Sequence, residues 1–97
     1  MAQNTRLTPE DVIAMANKHT AVADDISSQQ RLLDGNIQNL VSTNQGALMT
    51  KLTSVHADWN TSTTDIVTNL RTMATTLQSV AQRLRTEDEQ NAQAVNI

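Results

Sequence analysis

The chain has 97 residues, of which 38% are hydrophobic and 18% charged; ten acidic against seven basic residues give a formal net charge of −3. One Trp, no Phe or Tyr, two Gly and one Pro leave too few strand and turn residues for an all-β fold. The absence of Cys excludes a disulfide scaffold, a cysteine zinc site and a thiol nucleophile. The acidic balance and the lack of aromatics exclude a phosphate-neutralising or base-stacking surface, so nucleic acid is not an expected partner.

The length suits one domain spanning 1–97. No run approaches the ~20 apolar residues of a membrane span, so no stable membrane insertion is expected. Met1 to Leu7 carries no apolar h-region, so no secretory signal peptide is expected and folding in the cytoplasm is.

The first element has a clear start. Thr8 suits an N-cap, Pro9 the first helical position, and Glu10 and Asp11 the positive end of the helix dipole. Asp11 stands where a capping box wants Glu or Gln, and Leu7 and Val12 are spaced as a hydrophobic staple. Apolar residues then recur at helical spacing through Val12, Met15, Val22, Ile26, Leu33 and Leu40, with His19 and Gln29 filling gaps. The spacing predicts a helix over about 9–41. Asp34-Gly35-Asn36 reads either as a turn or as helix bearing a Gly at a cost of about 1 kcal/mol; the pattern resumes at once, which favours the helix.

A turn is expected over about 42–47, where Ser42, Thr43 and Asn44 lead to Gly46. A second stripe follows: Leu48, Leu52, Val55, Trp59, Ser62, Ile66, Leu70, Met73, Leu77, Val80 and Leu84, widened on one side by Met49, Val67, Ala74 and Ala81. Steps of four and three make this a heptad seam and predict a helix over about 48–88. Asn60 to Thr64 is a weak helix-forming stretch where a bend is expected. Acidic Glu87, Asp88 and Glu89 lie at a helix end that disfavours them, so a flexible tail is expected over about 89–97.

Two such stripes make an all-α, antiparallel helix–turn–helix hairpin. Each is wider than a two-helix contact needs, and every large apolar side chain buried contributes about 1.5–3 kcal/mol. The economical arrangement is two hairpins in a four-helix bundle, as a dimer. The expected interface is Val22, Ile26, Leu33, Leu52, Val55, Trp59, Ile66 and Leu70.

This organisation resembles the ESX-type W-x-G family of small type VII secretion substrates. The likeness rests on the length, the central small-residue turn, the opening Leu7-Thr8-Pro9-Glu10-Asp11, and Leu52, Val55, Trp59, Ile66 and Leu70 in the second helix. The family's Trp-x-Gly falls on Asn44-Gln45-Gly46, where only the Gly matches. Its export motif, Tyr with an acid four residues on, falls on Leu84 and Asp88, where only the acid matches. The resemblance implies a virulence-associated, non-enzymatic protein folded in the cytoplasm and exported without a signal peptide as a dimer. A secretion motor ATPase would recognise its C-terminal tail, Val95 being the apolar position carried over and Ile97 added because no core is available to it. The half-matched motifs favour a heterodimer with a paralogous W-x-G protein, a homodimer remaining possible.

His19 and His56 could form a metal pair or pH switch, but no further ligand stands at metal spacing; interface histidines are the simpler reading. Asp24, Asp25, Asp58 and Asp65 lie on helix surfaces without a cleft, so neither catalysis nor a cofactor is expected. Gln29, Asn36 and Ser62 either set register or are merely tolerated. The competing function is a cytoplasmic coiled-coil assembly or chaperone protein; a membrane-active amphipathic protein is a weaker third, given the low basic content.

Overall fold

The computed structural model describes residues 7–95, with side chains as far as Gln90. Two helices make up the fold: α1 over Pro9–Thr43 and α2 over Ala47–Val95. They pack antiparallel as a hairpin, and no strand occurs among the described residues. The molecule measures 77 × 28 × 16 Å. The shortest dimension is close to one helix diameter of about 10–12 Å, so the hairpin is a single layer.

α1 opens on the expected cap. Thr8 Oγ1 accepts from the Asp11 amide at 3.1 Å, and Asp11 Oδ2 accepts from the Thr8 amide at 3.3 Å. Asp therefore completes a capping box that more often uses Glu. Leu7 stays 58% exposed, so the staple buries little. α1 runs unbroken through Gly35 and ends two residues later than the apolar pattern suggests. Asn44 then takes an extended backbone, and its Nδ2 donates to the Leu40 carbonyl at 2.9 Å, closing one of the free carbonyls of the last turn. Gly46 has φ of +122°, and its carbonyl accepts from Met49 and Thr50 to start α2.

The threonines of α2 do not break it. Hydroxyls of Thr50, Thr53, Thr61, Thr75 and Thr86 each donate to the carbonyl four residues back. Their hydrogen bonds are met inside the helix rather than by competing turns. α2 also continues to Val95, where a flexible tail over 89–97 was expected. Glu, Gln and Ala dominate this stretch and no Gly or Pro interrupts it, and Arg83 and Arg85 stand four residues before Glu87 and Glu89. Arg85 also reaches Glu10 at 3.6 Å. Beyond that pair α2 overhangs α1 by about 15 Å at 1.5 Å per residue.

The contact between the helices is built from small side chains. Pro9, Val12, Ala16 and Ala23 of α1 are buried, facing Thr63, Val67, Ala74 and Ala81 of α2. All of these lie in the half away from the turn. Leu52, Leu70, Leu77 and Leu84 of the heptad seam are half-buried at the edge of the contact, while Leu48, Val55, Trp59, Ile66, Met73 and Val80 remain exposed. The seam's small-residue flank packs on α1 instead, because alanines let two backbones approach where Leu and Trp would hold them apart.

Two substitutions test this account. Gly46→Ala forces a β-carbon into a backbone region that side chains rarely adopt, and is expected to cost about 1–3 kcal/mol in urea unfolding. Ala74→Leu overfills the seam and is expected to cost about 1–3 kcal/mol by the same measurement; an unchanged midpoint would place Ala74 off the contact.

Candidate interaction surface

Most of the exposed large apolar residues form one face, Leu7 and Leu32 lying off it. Met15, Val22, Ile66, Met73 and Val80 each immediately precede a buried seam residue: Ala16, Ala23, Val67, Ala74 and Ala81. One residue is about 100° of helix, so the outward stripe sits a quarter turn back from the seam on both helices. Antiparallel helices with the same offset present both stripes on the same side of the layer. Leu33 (43% exposed) and Leu40 (44%) continue the stripe on α1, and Val55 (54%) and Leu48 (74%) on α2.

The expected interface residues fall on this face or its border. Val22, Leu33, Val55, Trp59 and Ile66 are exposed, while Ile26, Leu52 and Leu70 are half-buried where the stripe meets the seam. Val12 is the largest side chain that the hairpin buries fully. A lone hairpin thus leaves most of its large hydrophobic residues in water, far more than scattered surface apolars require.

A polar cluster ties the helices where the core ends. The Gln30 amide donates to the Asn60 carbonyl at 3.2 Å, to Asn60 Oδ1 at 3.1 Å and to Thr64 Oγ1 at 3.1 Å. Asn60 Nδ2 donates to Asp34 Oδ1 at 3.3 Å, and His56 Nε2 meets the same oxygen at 3.2 Å. The His56 ring stacks on Trp59 with centroids 5.3 Å apart. This cluster therefore braces Trp59, the single aromatic, from beneath. Sequence reading missed it, because its members lie on different helices and only the register joins them. A groove of about 350 Å³ opens beside it towards the turn, lined by Ile37, Val41, Thr53 and Ala57 among others.

The histidines do not form a pair. His19 Nδ1 contacts its own helix at the Met15 carbonyl, 2.8 Å away. His56 joins Asp34, fifteen residues further along α1, or about 22 Å. No group of metal-ligating side chains occurs among the described residues. The Thr64 hydroxyl binds Gln30 and not the imidazole, so the cluster assembles no nucleophile with a base.

At the turn, Asn44, Gln45 and Gly46 are exposed, and the Asn44 side chain folds back to cap its own helix. Leu84 is half-buried at the last height of the seam, and Asp88 is exposed on the overhang. The Val95 side chain and all of Ile97 lie outside the described residues. No helix of the described chain is long and apolar enough to cross a membrane.

A family model described as "WXG100: Proteins of 100 residues with WXG" matches residues 4–89. The chain belongs to the WXG100 family. Crystal structures of the secreted protein EsxB from Bacillus anthracis str. Sterne have the same fold. The selenomethionine-labelled form is 25% identical, with a TM-score of 0.81 over 91% of this chain and 99% of that one. A wild-type form is 25% identical, with a TM-score of 0.79 over 88% and 97%. No curated protein sequence matches significantly. This WXG100 chain carries no Trp-x-Gly: its one Trp, Trp59, is followed by Asn60 and Thr61.

The polar cluster predicts a measurable coupling. Asp34→Ala removes the acceptor shared by His56 and Asn60 and is expected to cost about 0.5–1.5 kcal/mol in urea unfolding. In a double-mutant cycle with His56→Ala the losses should fall short of additive by at least ~0.5 kcal/mol; strict additivity would dissolve the network.

Proposed function

We propose that this chain is a small, non-enzymatic substrate or adaptor of a type VII (ESX) secretion system, exported as a folded dimer. The observation that carries the reading is the unpartnered apolar face shared by both helices of a WXG100 hairpin. A second hairpin of the same family, a paralogue or another copy, covers that face and completes a four-helix bundle. Val22, Ile26, Leu33, Leu52, Val55, Trp59, Ile66 and Leu70 are its contact residues, with Trp59 as anchor.

The secretion motor ATPase recognises the C-terminal region through Leu84, Asp88, Val95 and Ile97. The extension of α2 past the start of α1 supports this, since it lies beyond the seam that joins the two helices. The chain folds in the cytoplasm and leaves it without a signal peptide. The small-residue turn at Asn44, Gln45 and Gly46 keeps the hairpin geometry without the family's Trp.

Export separates this reading from its rival, a cytoplasmic coiled-coil assembly or chaperone protein. In a host with an active type VII system the full chain is expected in the culture medium, and a chain truncated after Leu84 only in the cells, still pairing with its partner. Unimpaired export of the truncated chain removes the tail's role. Retention of the full chain in cells would favour the assembly protein.

A further inference from the structure

We propose that the groove between the helices near the turn is a binding site for a small organic ammonium, an apolar body carrying one protonated amine, with Asp34 as its counter-ion. The site lies on the side of the layer away from the apolar stripe, so the inference goes beyond the reading above and stands apart from it.

The side is fixed by the same rotation that places the stripe. Gln38, Ser42, Thr53 and Ala57 line the groove. Each immediately follows a half-buried seam residue: Ile37, Val41, Leu52 and His56. The stripe residues precede their seam neighbours instead. A quarter turn forward rather than back puts the groove on the reverse of the layer. A hairpin seated on the stripe leaves it open.

The groove exists because the seam changes character. Away from the turn the helices meet through alanines. Near the turn Ile37, Val41, Leu52 and His56 take their place, and these larger side chains hold the helices apart; none of the four is fully buried. The volume left between them, about 350 Å³, lies at the lower end of the range for small-molecule sites. Its middle is aliphatic, formed by Ile37, Val41 and Ala57. Hydrocarbon placed there removes from water a surface that the hairpin does not cover itself.

The end away from the turn is polar and carries one sign of charge. Asp34 lines it, and no Lys or Arg lines any part of the groove. Asp34 Oδ1 is engaged: it accepts from Asn60 Nδ2 and meets His56 Nε2. Its Oδ2 accepts only from Gln38 Nε2, at 3.5 Å, a length at which little bond remains. Arg31, one turn earlier on α1, directs its guanidinium to Ser28 Oγ at 3.4 Å. One carboxylate oxygen therefore stands nearly free at the end of an apolar trough. An ammonium supplies both the donor and the positive charge it lacks. From Asp34 to Val41 is seven residues, or about 10 Å of helix, the reach of a single ring on a two-carbon arm.

Phenethylamine tests the site. Phenethyl alcohol and hydrocinnamate carry the same ring on a similar arm with a neutral and a negative end. In the full chain, phenethylamine is expected to shift the backbone amide resonances of Gln38, Ser42, Thr53 and Ala57 saturably, with a Kd on the order of 1 mM. The emission of Trp59 should change with them, because its ring stacks on the groove-lining His56. The alcohol should bind about five- to tenfold more weakly, and hydrocinnamate should not bind. Asp34→Asn should lower the amine to the affinity of the alcohol. Ala57→Leu fills the trough and should abolish binding with the helical circular dichroism unchanged. No saturable binding of the amine, equal binding of all three probes, or undiminished binding to the Ala57→Leu variant overturns the site. Shifts centred on Met15, Val22, Ile66 and Met73 would move the ligand to the stripe and overturn it as well. So would shifts of the groove amides on concentrating the protein alone, which give the groove to a second copy of the chain.

Discussion

The close approach of α1 and α2 along Ala16, Ala23, Ala74 and Ala81 governs the rest of the molecule. Alanine contributes little buried area, so this contact alone is a weak core. It fixes the distance and rotation of the helices, and rotation decides which residues are left outside. A quarter turn from the alanines stand Val22, Ile66, Met73 and Val80. The small residues inside and the large ones outside are thus two halves of one arrangement. The hairpin economises on its own interior and leaves outside large side chains whose full burial would contribute about 1.5–3 kcal/mol each.

Polar contacts supply what the alanines lack, namely a fixed register. Ion pairs such as Asp24–Arg71, at 3.0 Å on the surface, add little free energy individually. Their value is positional, together with Glu10–Arg85 and the Gln30, Asp34, His56 and Asn60 cluster. A smooth alanine seam could slip by a turn; bonds at three heights prevent it. The cluster also lies where the buried core ends, so the half of the hairpin near the turn is held by hydrogen bonds more than by packing. Trp59 rests on His56 in that half, and its orientation depends on the same network.

Much of this was legible in the residues. Thr8, Pro9 and Asp11 announced the first helix, Gly46 the turn, and the apolar steps the second helix. The outward face was legible as well, because a stripe too wide for one neighbour implies another. Which flank would turn inward was not. Periodicity locates an apolar face but not the centre of its contact, and the Met49, Val67, Ala74 and Ala81 flank looked secondary until the packing preference of small residues was applied. The end of α2 was misjudged for a related reason: the unfavourable acids at Glu87 to Glu89 were weighed above the helix-forming residues around them. The Asp34–His56–Asn60 bonds had no signal at all, since no spacing along one helix encodes them.

The unequal length of the helices has a mechanical consequence. Past Arg85, α2 runs on beyond the first residue of α1. An isolated helical end of this length is only marginally stable. It can open at the expense of local helix free energy alone. The body of the hairpin need not follow, so the end of α2 can change shape while the alanine seam stays closed.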